Sequence, residues 1–303
     1  FLFLVSGPLI FHAKRHIMFI NYFPFLILGL FSIDHFYEKK KSTPLILSII
    51  LIILSSYYFS IPSLIVLFLY YIYKYVKEEN KPTIKKIIRK SIQLIQPFLI
   101  GILITSILLL PTAYTLLTGR STSTKNISLS NLFTPSISKS LLYSPYSIGL
   151  TLISLISLVY FALRGKKEKK YLSITCLLIT IFPIFNYLLN GTLYINAKSL
   201  IPFIPLILIL VANFLEIFLK KINFKKQYFI ITYLIISSFI ICLYTNSNDK
   251  LMKKSDIDNK EYQTINQLIH EITNEDQDFY RINTNLNEEK YINKIDNIST
   301  RKT

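Results

Sequence analysis

Glycine and cysteine are scarce in this sequence, and their scarcity removes several classes of enzyme site. The chain has seven Gly and two Cys in 303 residues, and it has no glycine-rich loop of the kind that cradles phosphates. No Cys or His residues stand in pairs at metal-ligand spacing. Cys176 and Cys242 lie inside apolar stretches, where cysteine behaves as a small buried hydrophobe. We therefore expect no metal, no cofactor and no disulfide.

Acidic residues are also few, with 17 Asp and Glu against 34 Lys and Arg and a net charge of +17. This excess does not indicate nucleic acid binding, because the polar section Thr245–Thr303 carries nine basic and eleven acidic residues. The positive charge belongs to short loops between apolar stretches, where it sets orientation and meets anionic lipid headgroups. Membrane lipids are therefore expected partners, and nucleic acid is not.

Apolar stretches dominate the chain up to Tyr244. A helix needs about 20 residues to cross ~30 Å of hydrocarbon. The expected spans are Phe1–Phe11 (partial), Ile17–Ile33, Leu45–Ser56, Ile61–Tyr73, Gln93–Leu110, Ile148–Leu163, Tyr171–Leu189, Leu200–Leu219 and Gln227–Tyr244. The short first span has no cleavable signal pattern, so we expect the sequence to be a fragment that begins within a helix. The expected fold is an all-α polytopic membrane bundle.

Basic residues alternate between the gaps that separate these spans. If Leu45–Tyr73 is a hairpin, nineteen Lys and Arg fall in every second gap, namely in Asp34–Pro44, Lys74–Ile92, Arg164–Lys170 and Lys220–Lys226. The other gaps carry six: Lys14, Arg15, Arg120, Lys125, Lys139 and Lys198. Because Lys and Arg accumulate in short cytoplasmic loops, the rich gaps are expected to face the cytoplasm. The sequence predicts a multi-pass protein of the cell membrane with an extracytoplasmic C-terminal tail.

The hairpin itself is predicted from length and from proline. Leu45–Tyr73 is too long for one span, and we expect a tight outward turn at Ser60-Ile61-Pro62. Pro62 favours the turn because it disfavours helix at Ile61 and has no backbone donor. A single span would also place Lys39–Lys41 outside, against the charge rule.

Two outward segments are longer than simple turns. Pro111–Ser147 is rich in Ser and Thr and contains three prolines, and its length indicates that it covers something or forms part of a site. Beyond Tyr244, an apolar face predicts a helix at Glu261–Thr273, and a strand is expected at Phe279–Asn283. We divide the chain into a transmembrane region, 1–244, and the beginning of an extracytoplasmic α/β domain, 245–303, which we expect to be truncated.

Ionisable and amide side chains near apolar spans are costly enough to be site candidates. One cluster on the outward side consists of His12, Lys14, Arg15 and His16. It would hold a lipid phosphate or would simply extend toward the headgroups. The turn Asn190–Lys198 forms a second cluster, which includes Tyr194. Lys198 is its only cation, and its position favours neutralising an anion at the interface.

The long outward segment supplies a third cluster, with Tyr114, Arg120, Tyr143 and Tyr146. Aromatic rings stack on sugars, but tyrosine at the ends of spans also fits the interfacial aromatic belt, which is favoured here for all but Arg120. The acidic residues of the membrane region fall in the basic gaps or, like Glu216, near one of them. The sequence therefore offers no outward carboxylate as a general base.

Several runs of the sequence resemble the bacterial YfhO-type membrane proteins. They are His12–Phe25, Ser55–Ser60, Leu189–Tyr194 with Lys198–Pro202, Tyr143–Leu150 and Phe279–Arg281. The resemblance implies a C-type glycosyltransferase membrane fold, linked to adding sugars to lipoteichoic or wall teichoic acid outside Gram-positive cells. The donor that it implies is a sugar on undecaprenyl phosphate, and the acceptor is the teichoic acid.

The chemistry that the resemblance implies is attack of an acceptor hydroxyl on the anomeric carbon, while a carboxylate takes the proton and polyprenyl phosphate leaves. Such folds place the acidic residue in the first outward loop, which we expect to precede this sequence, so the catalytic base is unassigned and the fragment alone should be inactive. Cations would stabilise the leaving phosphate. We assign donor phosphate binding to Lys198, Arg120, Arg15, His12 and His16, and sugar or acceptor binding to Asn190, Tyr194 and Tyr146.

Two other functions remain open beside the glycosyltransferase. A carrier that flips or exports a lipid-linked glycan should have ionisable residues along a central path, whereas Glu216 is the main charge within the predicted spans. A non-catalytic scaffold that presents its outward domain is permitted by the polar tail but is not required by it.

Overall fold

The computed structural model describes residues 6–15, 17–79, 83–118, 129–135, 148–149, 151–190, 197–221, 226–247, 263–264, 267, 270–271, 281–284 and 299–302. The chain divides into two units, Phe1–Asn248 and Asp249–Thr303. The helices of the first unit are α1 Gly7–Arg15, α2 Phe23–Lys39, α3 Thr43–Ser55, α4 Tyr57–Glu78, α5 Ile84–Ile104, α6 Ser106–Thr118, α7 Leu129–Phe133, α8 Leu152–Arg164, α9 Lys167–Ile181, α10 Pro183–Leu189, α11 Ile204–Lys221 and α12 Lys226–Ser247. Short 3₁₀ helices at Ile17–Phe19 and Ala197–Phe203 precede α2 and α11.

Within the described residues, four helical stretches are long and apolar enough to cross a membrane. They are Ile17–Lys39, Tyr57–Glu78, Ile84–Ile104 and Lys198–Lys220. Helices α9 and α10 add a fifth if the bent pair counts as one span. Helices α3 and α8 and the part of α12 at Tyr228–Ser237 are apolar but shorter. The predicted all-α polytopic membrane fold is confirmed.

Helices α2 and α3 run antiparallel and share buried hydroxyls. At one end, Asn21 Nδ2 donates a hydrogen bond to the carbonyl of Ser55 at 3.2 Å. Further along, the Oγ atoms of Ser32 and Ser48 are 3.0 Å apart, so that one hydroxyl can donate to the other, and each Oγ also lies within hydrogen-bond distance of a backbone carbonyl of its own helix. Small side chains that bond across helices allow the close approach that is typical of membrane bundles.

Helix α4 returns parallel to α2, which confirms the predicted hairpin but moves its turn. Tyr22 stacks on Phe59 near the start of both helices, with ring centroids 4.9 Å apart. The turn lies at Ser56, whose backbone is extended (φ −159°, ψ 101°), and Pro62 stands inside α4. The predicted turn at Ser60-Ile61-Pro62 is therefore wrong. The hydroxyl of Ser55 donates to the carbonyl of Ile52, a local bond that competes with helix continuation.

The span predicted at Tyr171–Leu189 is broken in the middle. Helix α9 ends at Ile181, and α10 continues from Pro183 in a direction that differs by 86°. Proline restricts the preceding residue to extended backbone, and Phe182 has φ −96° and ψ 118°. The chain therefore bends sharply where the sequence analysis expected a continuous helix.

The span predicted at Gln93–Leu110 also contains a break, at Thr105. The Oγ1 atom of Thr105 donates to the carbonyl of Gly101 at 2.9 Å, and α6 then continues through Pro111 to Thr118. The long outward segment thus begins later than Pro111. Helix α1 similarly continues beyond the predicted end at Phe11.

The remaining predicted spans agree with helices, with shifted ends. Ile17–Ile33 corresponds to α2 and the preceding 3₁₀ helix, and Ile148–Leu163 to α8. Leu200–Leu219 and Gln227–Tyr244 correspond to α11 and α12. As expected for a small buried hydrophobe, Cys176 on α9 is 1% exposed.

The second unit contains two short strands among its described residues. Strand β1, Arg281–Thr284, pairs in parallel with β2, Ser299–Lys302, and Arg281 lies opposite Ser299. Strand β1 overlaps the strand predicted at Phe279–Asn283, and the described residues between 263 and 271 are helical. An α/β domain over the whole of 245–303 stays a prediction.

The structure brings the four basic gaps to one end of the first unit. Lys74 at the end of α4 pairs with Asp34 of α2 at 3.0 Å. Lys167 at the start of α9 donates to the carbonyl of Glu79. Aromatic rings near the C-terminal ends of α8 and α11 contact each other, which places the last basic gap beside the third. We call this the basic end, and the other the opposite end.

Candidate functional site

The candidate site lies at the opposite end, where elements from distant parts of the chain meet. The 3₁₀ helix Ala197–Phe203 packs against α4, α9, α10 and α11, and α1 packs against the 3₁₀ helix Ile17–Phe19. Most of these elements end or start within a few residues of the site. The ends of helices leave backbone polar groups that must be satisfied by neighbouring residues.

Lys198 sits over the ring of Phe19. The Nζ atom is 4.7 Å from the ring centroid, which is within the range of a cation–π contact. Both residues are half-buried. Phe19 also makes an edge-to-face contact with Phe59, with ring centroids 5.7 Å apart and ring planes at 87°. The ring therefore provides a fixed support for the ammonium group.

His12 contacts the same aromatic ring. Its imidazole makes an edge contact with Phe19, with ring centroids 5.0 Å apart, and a second one with Phe11 at 5.2 Å. The side chain is fully buried. Phe19 thus connects His12 and Lys198, two of the residues that the sequence analysis assigned to phosphate binding.

Four polar side chains form a buried hydrogen-bonded group beside Lys198, which we call the polar junction: Tyr58, Asn186, Asn190 and Ser199. The Tyr58 hydroxyl donates to Asn190 Oδ1 at 2.8 Å. Asn190 Nδ2 donates to the Asn186 carbonyl at 2.6 Å and to Ser199 Oγ at 3.4 Å, and Ser199 Oγ donates to Asn186 Oδ1 at 3.1 Å. These bonds join α4, α10 and the 3₁₀ helix that carries Lys198.

The polar junction determines where Lys198 stands. Ser199 follows Lys198 directly and is 0% exposed, while Asn186 and Asn190 are 7% and 8% exposed. In a medium of low dielectric constant, such bonds are strong and leaving one unmade is costly. The amide of Asn190 uses its donors within the protein, so its geometry suits positioning of the cation, and its sugar-binding role stays a prediction.

A short helix of the long outward segment covers α10. Helix α7 packs against α10, and Leu132 of α7 is 4% exposed. The described part of the segment therefore covers the helix that contributes Asn186 and Asn190 to the polar junction. This arrangement fits the expectation that a segment of such length covers something.

The other predicted site residues are not placed by the structure. Arg15 belongs to α1, but its side chain lies outside the described part of the molecule, as does that of Lys14. Also outside the described residues are His16, Arg120, Tyr146 and Tyr194. Their assigned roles stay predictions.

Four residues of the site were not found by sequence reasoning: Phe19, Tyr58, Asn186 and Ser199. A usable signal existed for Asn186, because an amide inside an apolar span is costly unless it is hydrogen-bonded. Its spacing of four positions from Asn190 puts the two amides on one face of a helix. Phe19, Tyr58 and Ser199 stand among many similar residues and gave no comparable signal.

Comparison with protein families supports an assignment of this chain. The family model described as "Bacterial membrane protein YfhO" matches residues 5–162, just over half of the chain. The matched range contains His12, Phe19 and Tyr58 of the candidate site. No curated protein and no solved structure matches the chain. The match, together with the apolar helices, shows that this chain belongs to the YfhO family of bacterial membrane proteins.

Proposed function

We propose that the protein is a membrane glycosyltransferase that moves a sugar from a polyprenyl-phosphate donor to a cell-envelope polymer such as lipoteichoic or wall teichoic acid. The proposal rests on the resemblance of the chain to the YfhO family for the reaction class. From the structure, it is supported mainly by one observation: a half-buried lysine is held in a fixed place at the end of the bundle away from the basic gaps.

The charge of the leaving group explains why such a lysine is useful. When the bond between the sugar and the phosphate breaks, the polyprenyl phosphate gains negative charge. A cation that is already in place and partly shielded from water stabilises that charge more than a mobile surface cation does. Lys198 has these properties, because Phe19 supports its ammonium group and the polar junction anchors its backbone.

The depth of Lys198 fits a lipid-linked donor. Lys198 is the first residue of the apolar stretch Lys198–Lys220, so it stands at the border between the apolar and polar layers. The phosphate of a polyprenyl lipid lies at the same level in a bilayer, with its chain in the hydrocarbon. If the basic end faces the cytoplasm, as the charge rule predicts, this border is on the outer face.

The proton acceptor of the reaction remains without an assigned residue. Among the described residues of the first unit, the Asp and Glu side chains lie at or near the basic end, as in the pairs of Asp34 with Lys74 and of Glu216 with Lys220. The described part of the opposite end therefore supplies a charge stabiliser and positioning groups. We place the proposed acid–base residue outside the described residues.

Export of a lipid-linked glycan is the second candidate, and the bend between α9 and α10 favours it. The two helices differ in direction by 86° at Phe182 and Pro183. Interrupted helices are common around the substrate sites of secondary transporters. The same bend also serves the first candidate, since it turns α10 so that Asn186 and Asn190 reach the polar junction.

A reconstituted assay separates the two candidates. The purified full-length protein is placed in vesicles with a radiolabelled polyprenyl-phosphate hexose and a teichoic acid acceptor on the same side of the bilayer. The glycosyltransferase makes labelled polymer, because no translocation is needed. An exporter makes none, but it moves the labelled lipid between leaflets when donor is supplied on one side only. Translocation without labelled polymer would reject the transferase proposal.

A further inference from the structure

Helix α5 exposes a regular apolar stripe that begins at the basic end. The residues of the stripe recur at intervals of three or four positions, which puts them on one face of the helix. They are Ile84, Ile88, Ile92, Ile95 and Leu99, and their exposed fractions are 78%, 58%, 57%, 51% and 51%.

A second stripe on the same helix is basic. It consists of Lys85, Lys86, Arg89 and Lys90. Lys86 pairs with Glu79 at 3.0 Å, while no ion pair involves the other three among the residues that the structure describes. With 100° between successive residues, Lys85 and Arg89 lie directly beside the apolar stripe, whereas Lys86 and Lys90 lie toward the face that packs on the bundle. The helix therefore offers cations and hydrocarbon-like surface next to each other.

The third face of α5 holds the helix against the bundle. Leu94 is buried, and Tyr71 of α4 donates a hydrogen bond to Gln93 Oε1 at 3.1 Å. Gly101 lies so close to α3 that an added Cβ would be 2.6 Å from Ile49 Cγ2. Because the later part of the helix is fixed, the first turns present their two stripes in a defined orientation.

Cations are crowded around the start of α5. Burial lowers the pKa of Lys40, and the positive charge of Lys90 lowers it further, against a smaller opposite effect of Glu78. Elsewhere at the basic end, Lys74 pairs with Asp34 and Lys220 pairs with Glu216. Among the described residues, Lys85 and Arg89 have no such ion pair, so an external anion would relieve their charge.

We propose that this surface of α5 binds an anionic phospholipid of the leaflet at the basic end. The phosphodiester accepts hydrogen bonds from Lys85 and Arg89, and an acyl chain lies along Ile84 and Ile88. The occupant is identified by the two stripes together: a soluble anion would use only the cations, and an uncharged lipid only the isoleucines. The inference is independent of the proposed transferase activity.

The test counts lipids that remain bound to the purified full-length protein. The protein is reconstituted with equal amounts of phosphatidylglycerol and phosphatidylcholine, and retained lipid is measured by native mass spectrometry. The test variant is Lys85→Gln, Arg89→Gln. A control with the same loss of charge on the same helix is Lys86→Gln, Lys90→Gln, two residues that lie on the side of α5 away from the apolar stripe.

The test variant should lose phosphatidylglycerol, because each cation near an anionic surface contributes roughly a fivefold change in binding. The control should retain the wild-type amount, and both should keep phosphatidylcholine. Replacing the same residues with Arg and Lys, as Lys85→Arg, Arg89→Lys, should restore retention and so exclude misfolding. Equal losses from both double variants, or no loss from either, would overturn the proposal. A change of oligomeric state with unchanged lipid would assign the surface to a second copy of the chain instead.

Discussion

The ammonium group of Lys198 lies 4.7 Å from the centre of the Phe19 ring. The contact joins the segment before α2 to the segment before α11, and it places a cation at the end of the bundle away from the basic gaps. The polar junction fixes the same lysine from its backbone side through Ser199. A charged side chain that is restrained from two directions is preorganised for an anion, which is the basis of the proposed role.

Removing the charge of Lys198 should reduce sugar transfer about a hundredfold, as expected when a preorganised group that stabilises developing charge is lost. The variants are Lys198→Ala and Lys198→Arg, of which the second keeps a cation and should retain more activity. Turnover by the purified full-length protein gives the measurement. Lys41→Ala, at the basic end, is the matched control and should transfer normally. Equal activity of Lys198→Ala and wild type would remove Lys198 from the site.

Replacing Asn190 with leucine should lower the free energy of unfolding by about 1–3 kcal/mol, because Tyr58 and Ser199 lose a buried partner. Asn21→Leu is the control, since the amide of Asn21 is exposed and donates a hydrogen bond of 3.2 Å to the carbonyl of Ser55. In a Cys242→Ala background a thiol-reactive dye can report unfolding, because Cys176 is then the one cysteine and is buried in the folded protein. Equal melting temperatures for the two variants would show that the polar junction does not stabilise this end.

Two helical glycines provide a matched test of the packing. Gly101→Ala should destabilise the protein by about 1–3 kcal/mol, because the new Cβ would meet the stiff branched side chain of Ile49 at 2.6 Å from Cγ2 and 3.0 Å from Cβ. Gly29→Ala meets the end of the flexible Leu67 side chain, at 2.9 Å from Cδ2.

Rotation of Leu67 can relieve that second contact, so Gly29→Ala should be close to neutral. Because alanine favours helix over glycine equally at both positions, the difference between the two variants isolates the clash. Adding Ile49→Ala to Gly101→Ala removes the atom that clashes. Thermal unfolding that ranks Gly29→Ala as the more damaging change would contradict the packing of α5 on α3.

The ion pair at the basic end should stabilise the contact between α2 and α4. Asp34 accepts a hydrogen bond from Tyr70 and pairs with Lys74, whose side chain is 18% exposed. Asp34→Asn leaves the half-buried ammonium without its counter-charge and should cost about 1–3 kcal/mol.

The exposed pair of Glu216 and Lys220, with side chains 63% and 65% exposed, is the control for this change. Glu216→Gln should alter the unfolding free energy by less than about 1 kcal/mol. If both substitutions have the same effect on the melting temperature, Asp34 makes no special contribution to the contact between the helices.

Length, apolarity and charge were sufficient to predict most of the apolar helices and their order. The alternation of basic gaps predicted that Asp34–Pro44 and Lys74–Ile92 lie at one end, and the pair of Asp34 with Lys74 confirms this. The turn of the hairpin was misplaced because Pro62 was taken as a stop signal, although α4 accommodates it. The bend at Pro183 was missed for the opposite reason, since a proline inside an apolar run was read as part of a continuous span.

The site was predicted only in part because its contacts are distant in sequence. Lys198 was found from its isolation as the only cation of its loop. The residues that position Lys198 could not be found in the same way, since no local pattern links Tyr58 to Asn190, which are 132 positions apart. Phe19 is one of 22 phenylalanines, and only the fold shows that it faces the lysine.

The most direct test of the account is NMR of teichoic acids from cells that lack the full-length gene, compared with the parent strain. We predict that a sugar substituent disappears, that the wild-type gene restores it, and that a gene with Lys198→Ala does not, although its product is inserted in the membrane in normal amounts. Polymers that are unchanged by the deletion would contradict the glycosyltransferase assignment.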